Sequence, residues 1–399
     1  MKATRRSVLR GLGLAMGATL FGAGEWAMAQ DVQIQGFEKA ATDTEGWKQW
    51  KPISDRKIRV GIAGYGVCKF GAAFGFQNHP NVIVAAVTDI IPERCAELAK
   101  VCRCEKTYPS CEEMIKDDAL EAIFIATDAP SHARLAIAAL KAGKHVASAV
   151  PAVFGSLEEA EALLAAVRQS KRKYMLFETS YFHDDLYAMR ELYRRGLLGK
   201  VLYAEGEYFH YMPEPIDSYK GWRIGLPPQW YPTHSNAYYT GVTALPFTEV
   251  SCMGVPSVIP HLQPANNRYK NPFGTEIALF RTADGAMARM AVSWDTPGFS
   301  GEMGRIRTQK GTFYNQFQTE GMDLKLPVLR KPPLPPGVEA GGHGGSHGYL
   351  MAEFVEAILA DRKPLVDIEQ ALAMTVAGIV AHKSALKGGE LMKIPQYKL

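Results

Sequence analysis

The apolar run Lys57-Ile58-Arg59-Val60-Gly61-Ile62-Ala63 leads directly into Gly64-Tyr65-Gly66-Val67-Cys68-Lys69-Phe70-Gly71. A buried strand that ends in a glycine-rich turn is the entry to a dinucleotide fold. The first glycine permits a tight bend and the second lets the backbone come close to a pyrophosphate. Gly64, Gly66 and Val67 are therefore candidate cofactor contacts. The third glycine is displaced, because Lys69 stands where the strict spacing wants it and Gly71 follows two residues later. Asp89 lies 25 residues beyond Gly64 at the end of the next strand candidate. Its carboxylate can accept hydrogen bonds from ribose hydroxyls and would repel a 2′-phosphate. Ile90 and Ile91 follow it in place of an arginine, so these residues imply NAD rather than NADP. Five of the six cysteines fall between Cys68 and Cys111, but the spacing of Cys95, Cys102, Cys104 and Cys111 matches no common zinc pattern. Buried thiols or an occasional disulfide, and no metal site, are expected.

These groups need a scaffold, and the hydrophobic pattern supplies one. Between residues 57 and 178 the chain repeats strand, turn and helix. Strands are expected at Ile58–Ile62, Val82–Val87, Ala122–Ile125, His145–Ser148 and Tyr174–Phe177, with helices at Pro92–Val101, His132–Ala142 and Leu157–Ser170. That alternation implies an N-terminal α/β Rossmann domain with a doubly wound parallel sheet. From 179 to 348 a helix over Asp184–Arg195 is followed by strand-like runs such as Val201–Phe209, Glu276–Arg281, Ala286–Val292 and Gly311–Phe317, which suggests an α+β domain on a mainly antiparallel sheet. The Pro- and Gly-rich stretch Lys331–Gly348, with His343 and His347, reads as a loop. Helices at Tyr349–Ala360 and Ile368–Leu386 complete a C-terminal segment, 349–399, expected to pack on the body.

The N-terminus carries a different kind of information. Thr4-Arg5-Arg6-Ser7-Val8-Leu9-Arg10, an apolar stretch from Gly11 to Gly24 and Ala27-Met28-Ala29 form a twin-arginine signal over residues 1–29. It predicts handling by the twin-arginine translocase and a periplasmic or otherwise extracytoplasmic destination. A polar arm, residues 30–56, follows. This route carries folded proteins, so a cofactor captured before export can travel tightly bound, and it must then be regenerated in place. A redox-neutral cycle meets that demand better than net dehydrogenation. The 47% hydrophobic and 22% charged composition and the formal charge of +4 are ordinary for a globular chain. They do not suggest nucleic-acid binding. No apolar run after the leader approaches the ~20 residues of a spanning helix, so the mature form is expected to have no membrane association.

Two stretches carry a family likeness: Ile125-Ala126-Thr127-Asp128-Ala129-Pro130-Ser131-His132 and Ala139-Leu140-Lys141-Ala142-Gly143-Lys144-His145-Val146. They resemble the Gfo/Idh/MocA oxidoreductases, and the likeness covers nearly all of the chain after the leader. It implies a Rossmann domain followed by an open, mainly antiparallel sheet whose face meets the nicotinamide, and it places Thr127, His132 and Pro151 at the nicotinamide pocket. Most dehydrogenases of that family have Glu-Lys-Pro where this chain has Ala149-Val150-Pro151. Valine cannot move a proton, so ordinary alcohol oxidation would need another base.

That replacement resembles the NAD-dependent glycosidases of glycoside hydrolase family 109. The likeness continues through Glu178-Thr179-Ser180-Tyr181, Trp222-Arg223, Tyr231-Pro232-Thr233-His234 and His343-Gly344-Gly345. The chain departs from it at Ser235-Asn236-Ala237-Tyr238, where Gly-Leu-Gly-Pro is expected. The resemblance implies oxidation of a sugar at C3, elimination of the C1 substituent, hydration and return of the hydride. On this reading Tyr181 takes the C2 proton with a lowered pKa, His234 protonates the leaving oxygen and Tyr231 relays protons. Arg223, Trp222 and His343 bind the carbohydrate. A sugar 3-dehydrogenase, a sugar–sugar oxidoreductase and a non-catalytic NAD-containing binding protein are the alternatives, and a homo-oligomer through the open sheet is compatible with each.

Overall fold

The computed structural model describes residues 49–314, 316–318 and 329–399. The twin-arginine leader and the arm up to residue 48 lie outside the described residues, which all fall in one compact unit, Gln33–Leu399.

Six short strands form a parallel sheet: β1 (Ile58–Ala63), β2 (Val82–Thr88), β3 (Thr107–Tyr108), β4 (Ala122–Ile125), β5 (His145–Ser148) and β6 (Tyr174–Leu176), in the order β3-β2-β1-β4-β5-β6. The connecting helices are α1 (Phe70–Ala73), α2 (Pro92–Cys102), α3 (Cys111–Ile115), α4 (His132–Lys141) and α5 (Leu157–Ser170). All four residues of β4 and all three of β6 are buried, as strands covered on both faces must be. Strand order reverses between β1 and β4, so the crevice beyond their carboxyl ends is where a doubly wound sheet takes its ligand. Gly64, Asp89, Thr127 and Pro151 follow β1, β2, β4 and β5 on that edge. Glu178, two residues past β6, shares it.

The second layer begins with α6 (Asp184–Arg194) and β7 (Val201–Phe209), continues through α7 (Thr233–Thr243), and adds β8 (Phe247–Pro256), β9 (Phe273–Thr282), β10 (Met287–Ser293), β11 (Gly301–Thr308), β12 (Thr312–Tyr314) and β13 (Gln316–Gln318). After a single turn, α8 (Gly342–Gly345), come α9 (His347–Leu359), α10 (Ile368–Leu386) and the short strand β14 (Met392–Lys393). The sheet order is β13-β12-β11-β7-β10-β9-β8-β14, antiparallel except for the β7–β10 pair.

Helix α7 is not among the elements expected from the sequence. All 11 of its residues are buried, so it has no polar face and no amphipathic period to detect. Several of its polar side chains bond to backbone: Asn236 Nδ2 donates to the Met374 carbonyl at 2.8 Å and Thr240 Oγ1 to the Asn236 carbonyl at 3.1 Å. Two glycines paired across β7 and β11, Gly206 and Gly304, let the helix lie against the sheet. A Cβ at Gly206 would stand 2.0 Å from the Ser235 carbonyl oxygen, and one at Gly304 would stand 2.2 Å from the Tyr238 ring. This close approach brings the first turn of α7, with His234, down to β11. Gly206→Ala should lift α7 and lower stability by about 1–3 kcal/mol, the usual cost of overpacking. Thermal and denaturant unfolding test this; an unchanged midpoint would show that the helix has room to spare.

Candidate functional site

A cleft of about 460 Å³ runs along the carboxyl edge of the parallel sheet. Gly64, Gly66, Val67, Asp89, Thr127 and His132 line it, as expected from the sequence. Gly64 has φ +102°, and a Cβ there would meet the Ala126 carbonyl oxygen at 2.3 Å. Gly71 does the work of the displaced third glycine, since its Cβ would sit 2.3 Å from the Gly64 carbonyl oxygen. Lys69 takes the left-handed conformation that caps α1. Open space surrounds the position of a Gly66 Cβ, which leaves room for a phosphate.

Asp89 Oδ2 accepts from the Tyr65 amide at 2.7 Å and Oδ1 from the Ile91 amide at 2.9 Å. These bonds fix the carboxylate while each oxygen keeps a lone pair for a ribose hydroxyl. The ring nitrogens of His132 lie 3.0 Å from the Pro151 carbonyl oxygen and 3.2 Å from that of Thr127. His132 therefore ties together the loops after β4 and β5, and burial pushes its pKa down. Ala149 and Val150 line the cleft before the cis Val150–Pro151 bond. Pro151 thus acts through its carbonyl, and no lysine stands at this corner.

Trp222, Arg223 and Tyr231 close the opposite wall. The Arg223 guanidinium sits 4.2 Å from the Trp222 ring centroid and 5.8 Å from that of Tyr231. Burial pushes the Tyr231 phenol up to about 12, against the pull of Arg223. Next to Tyr231, at 5.6 Å between ring centroids, is the buried imidazole of His234.

Two carboxylates surround that imidazole. His234 Nδ1 is 2.7 Å from Glu178 Oε1 and 3.4 Å from Glu302 Oε1. Burial alone would push the ring down, but Glu178 and Glu302 together outweigh it and keep it protonated up to about 9. Burial likewise raises Glu302, yet His234, His183 and the Ser180 hydroxyl, 2.5 Å away, bring it down to about 2. Tyr208 faces the same imidazole at 4.6 Å, and its phenol oxygen lies 3.2 Å from His210 Nδ1. Burial, reinforced by Arg223, His234 and His343, lowers His210 to about 4. Two imidazoles flanking one tyrosine are thus held in opposite charge states at neutral pH.

Tyr181 is not part of this group. Its ring is buried beside α7, its phenol donates to Gln370 Oε1 at 3.1 Å, and Arg190 lies over the ring at 5.5 Å. Burial outweighs Arg190 and raises the phenol's pKa, so the expectation of a tyrosine base with a lowered pKa is corrected here. His343 lies on the flank of the cluster. Its carbonyl accepts from His183 Nε2 at 3.0 Å, and its Nδ1 is 3.0 Å from His347 Nε2. The sequence reading missed Tyr208, His210 and Glu302, and it quoted Glu178 only as part of a motif. The alternation that turns Tyr208 inward and the run Tyr208-Phe209-His210 at a strand end are a signal that could have found the first two.

All six cysteines are free thiols. Among the described residues, the grouping with metal-ligand proximity is Glu178, His234 and Glu302, whose ligand atoms lie within 4.8 Å of one another. A single imidazole between two carboxylates is the arrangement of a hydrogen-bonded ion pair.

Residues 58–178 match the family model for Gfo/Idh/MocA, the oxidoreductase family with an NAD-binding Rossmann fold. That match covers the first domain, whose glycine cradle and Asp89 fit NAD. The chain is also similar to proteins named for glycosyl hydrolase family 109. Glycosyl hydrolase family 109 protein 1 of Bacteroides fragilis is 29% identical over 177 residues, 42% of this chain and 38% of that protein. The match thus reaches well under half of that relative's length. The family 109 protein of Solibacter usitatus is 22% identical over 393 residues, covering 85% and 88% of the two chains. Among solved structures, levoglucosan dehydrogenase in complex with NADH and levoglucosan superposes with a TM-score of 0.68 at 20% identity, covering 86% of this chain and 100% of that one, which shows a shared fold.

Asp89→Ala should reduce the NAD recovered with purified protein, as measured by mass spectrometry after unfolding; unchanged content would place the ribose elsewhere. Glu178→Gln removes one of the two charges that stabilise the imidazolium, so the His234 pKa should move down from about 9. Imidazole NMR titration reads this directly, and a pKa that stays put would show that Glu178 does not set the charge.

Proposed function

We propose that this chain is a carbohydrate-active NAD enzyme that cleaves a glycosidic bond in a redox-neutral cycle of C3 oxidation, elimination and hydration. One observation carries the reading. Behind the Tyr231 wall of an NAD cleft that lacks the usual lysine, a protonated His234 and a neutral His210 flank Tyr208. Neighbouring titratable groups pushed to opposite protonation states divide the roles of acid and base. The names of the family 109 relatives, glycosyl hydrolases, support cleavage of a glycosidic bond.

NAD, held by Gly64, Gly66 and Asp89, would supply the hydride acceptor for oxidation at C3 and the hydride for its reversal, and the C3 hydroxyl proton would pass to solvent water in the first step and return from it in the last. Oxidation at C3 acidifies the C2 proton. His210, through the Tyr208 phenol, takes that proton as the C1–oxygen bond breaks, and His234 donates its proton to the departing oxygen. Water then adds at C1 and a proton returns to C2, which restores both imidazoles. Arg223 binds substrate hydroxyls, Trp222 offers an apolar face to the sugar ring and Tyr231 orients the hydroxyl nearest His234. The leader residues support export by the twin-arginine translocase with NAD already bound, and a periplasmic setting in turn favours a cycle that leaves the cofactor as it began.

Hydrolysis in heavy water should place deuterium at C2 of the product; full retention of the original hydrogen would exclude elimination, and accumulation of a 3-keto sugar with an added electron acceptor would favour a dehydrogenase. His234→Ala should slow glycosides with poor leaving groups by about 10² to 10⁴-fold and activated aryl glycosides far less. Tyr208→Phe and His210→Ala should suppress C2 exchange, whereas Tyr181→Phe should leave it intact and cost only a buried hydrogen bond. Activity should fall below about 4, where His210 gains a proton, and above about 9, where His234 loses one; a profile with neither limb would sink the acid–base assignment.

A further inference from the structure

One segment of the second domain, Asp217–Arg223, spans the cofactor cleft from end to end. Asp217, Tyr219, Trp222 and Arg223 line the same cavity as Gly64 and Asp89. At the outer end, Asp217 Oδ2 lies 3.8 Å from Nη2 of Arg94. Arg94 belongs to the first turn of α2, directly after the Asp89 strand, so this contact marks the adenosine side. At the inner end, Arg223 packs over Trp222 and Tyr231, beside the proposed acid.

The two ends are held very differently. Trp222 is 6% exposed, its carbonyl accepts from Tyr269 Oη at 2.6 Å, and its ring meets Phe154 edge-on at 5.7 Å. Between the ends the chain turns through two successive left-handed residues, Lys220 at φ 52° and Gly221 at φ 61°, closed by the Gly221 amide on the Ser218 carbonyl at 2.8 Å. Beyond that turn the packing thins. Tyr219 is 38% exposed, the Asp217 side chain is 87% exposed, and the contact with the first domain is an ion pair in solvent.

We infer that Asp217–Arg223 is a clasp for NAD, anchored at Trp222 and latched at its free end by Arg94–Asp217 and Tyr219, and that it slows release of the dinucleotide. This rests on the reading that the cofactor stays bound through each cycle. The clasp would be contributed by the substrate domain, so cofactor retention and substrate binding share one piece of chain. A surface ion pair holds only weakly, which suits a latch that must open once, during loading.

The test needs no substrate, so its failure is distinguishable from failure of the glycosidase reading. Purified protein saturated with NAD is chased with excess isotopically labelled NAD, and the retained unlabelled fraction is followed by mass spectrometry. Arg94→Glu sets two carboxylates against each other and should speed exchange about fivefold, the scale of an exposed pair. Arg94→Glu combined with Asp217→Arg should return the rate toward that of the wild type, which a direct contact between Arg94 and NAD would not allow. Tyr219→Ala should speed exchange further, with circular dichroism unchanged. Wild-type rates in both single variants, or a charge swap that fails to restore slow exchange, would overturn the clasp.

Discussion

The imidazole of His234, held between Glu178 and Glu302, is the contact on which the arrangement of this protein turns. Glu178 extends from the carboxyl edge of the parallel sheet, Glu302 from the start of β11, and His234 from the first turn of α7. Three elements from two domains therefore meet on one proton. Burying two carboxylates is costly unless a cation faces them, and here the cation is also the proposed acid. Loss of that proton would leave two buried negative charges facing each other, so the ion pair that joins the domains and the chemistry of the site are a single electrostatic problem.

The scaffold can be read as the means of making that contact. Gly206 and Gly304 remove the side chains that would keep α7 off the sheet, and Asn236 ties the helix to α10 through the Met374 carbonyl. Tyr181, which carries a motif position, serves the same end: buried under α7 and bonded to Gln370, it supports the helix that carries His234. The aromatic and cationic wall of Trp222, Arg223 and Tyr231 then connects this buried charge to the open cleft. Separation of the two tasks is physical. The glycine backbone and Asp89 line the part of the cleft suited to a dinucleotide, while the His234, Glu178 and Glu302 cluster lies beyond the wall formed by Tyr231.

The proposed retention of the cofactor belongs with this arrangement. The redox-neutral cycle proposed above needs the dinucleotide to outlast many turnovers, and a segment of the second domain lines the same cleft as Gly64 and Asp89. Because that segment ends at Arg223, its outer latch and the electrostatics around His210 and Tyr208 lie on one stretch of chain.

How much of this was legible beforehand depends on whether a feature is local. The parallel domain, the NAD turn, Asp89 and strands β1, β2 and β4 to β6 follow from apolar runs, glycine spacing and one carboxylate, all of which act within a few residues of themselves, whereas the two-residue β3 is too short to leave a pattern. Leu157–Ser170 and Ile368–Leu386 were placed to the residue because capping and periodicity are also local. Motif resemblance marked Arg223, Tyr231 and His234, which do come together. Helix α7 was invisible because uniform burial leaves no period. Glu302 lies 124 residues from Glu178 in sequence, and no pattern within either stretch announces that one imidazole will join them. The protonation states were likewise beyond sequence: a histidine's pKa depends on which charges burial forces against it, and only the packed tertiary structure holds His234 protonated and His210 neutral while drawing Tyr181 away from both.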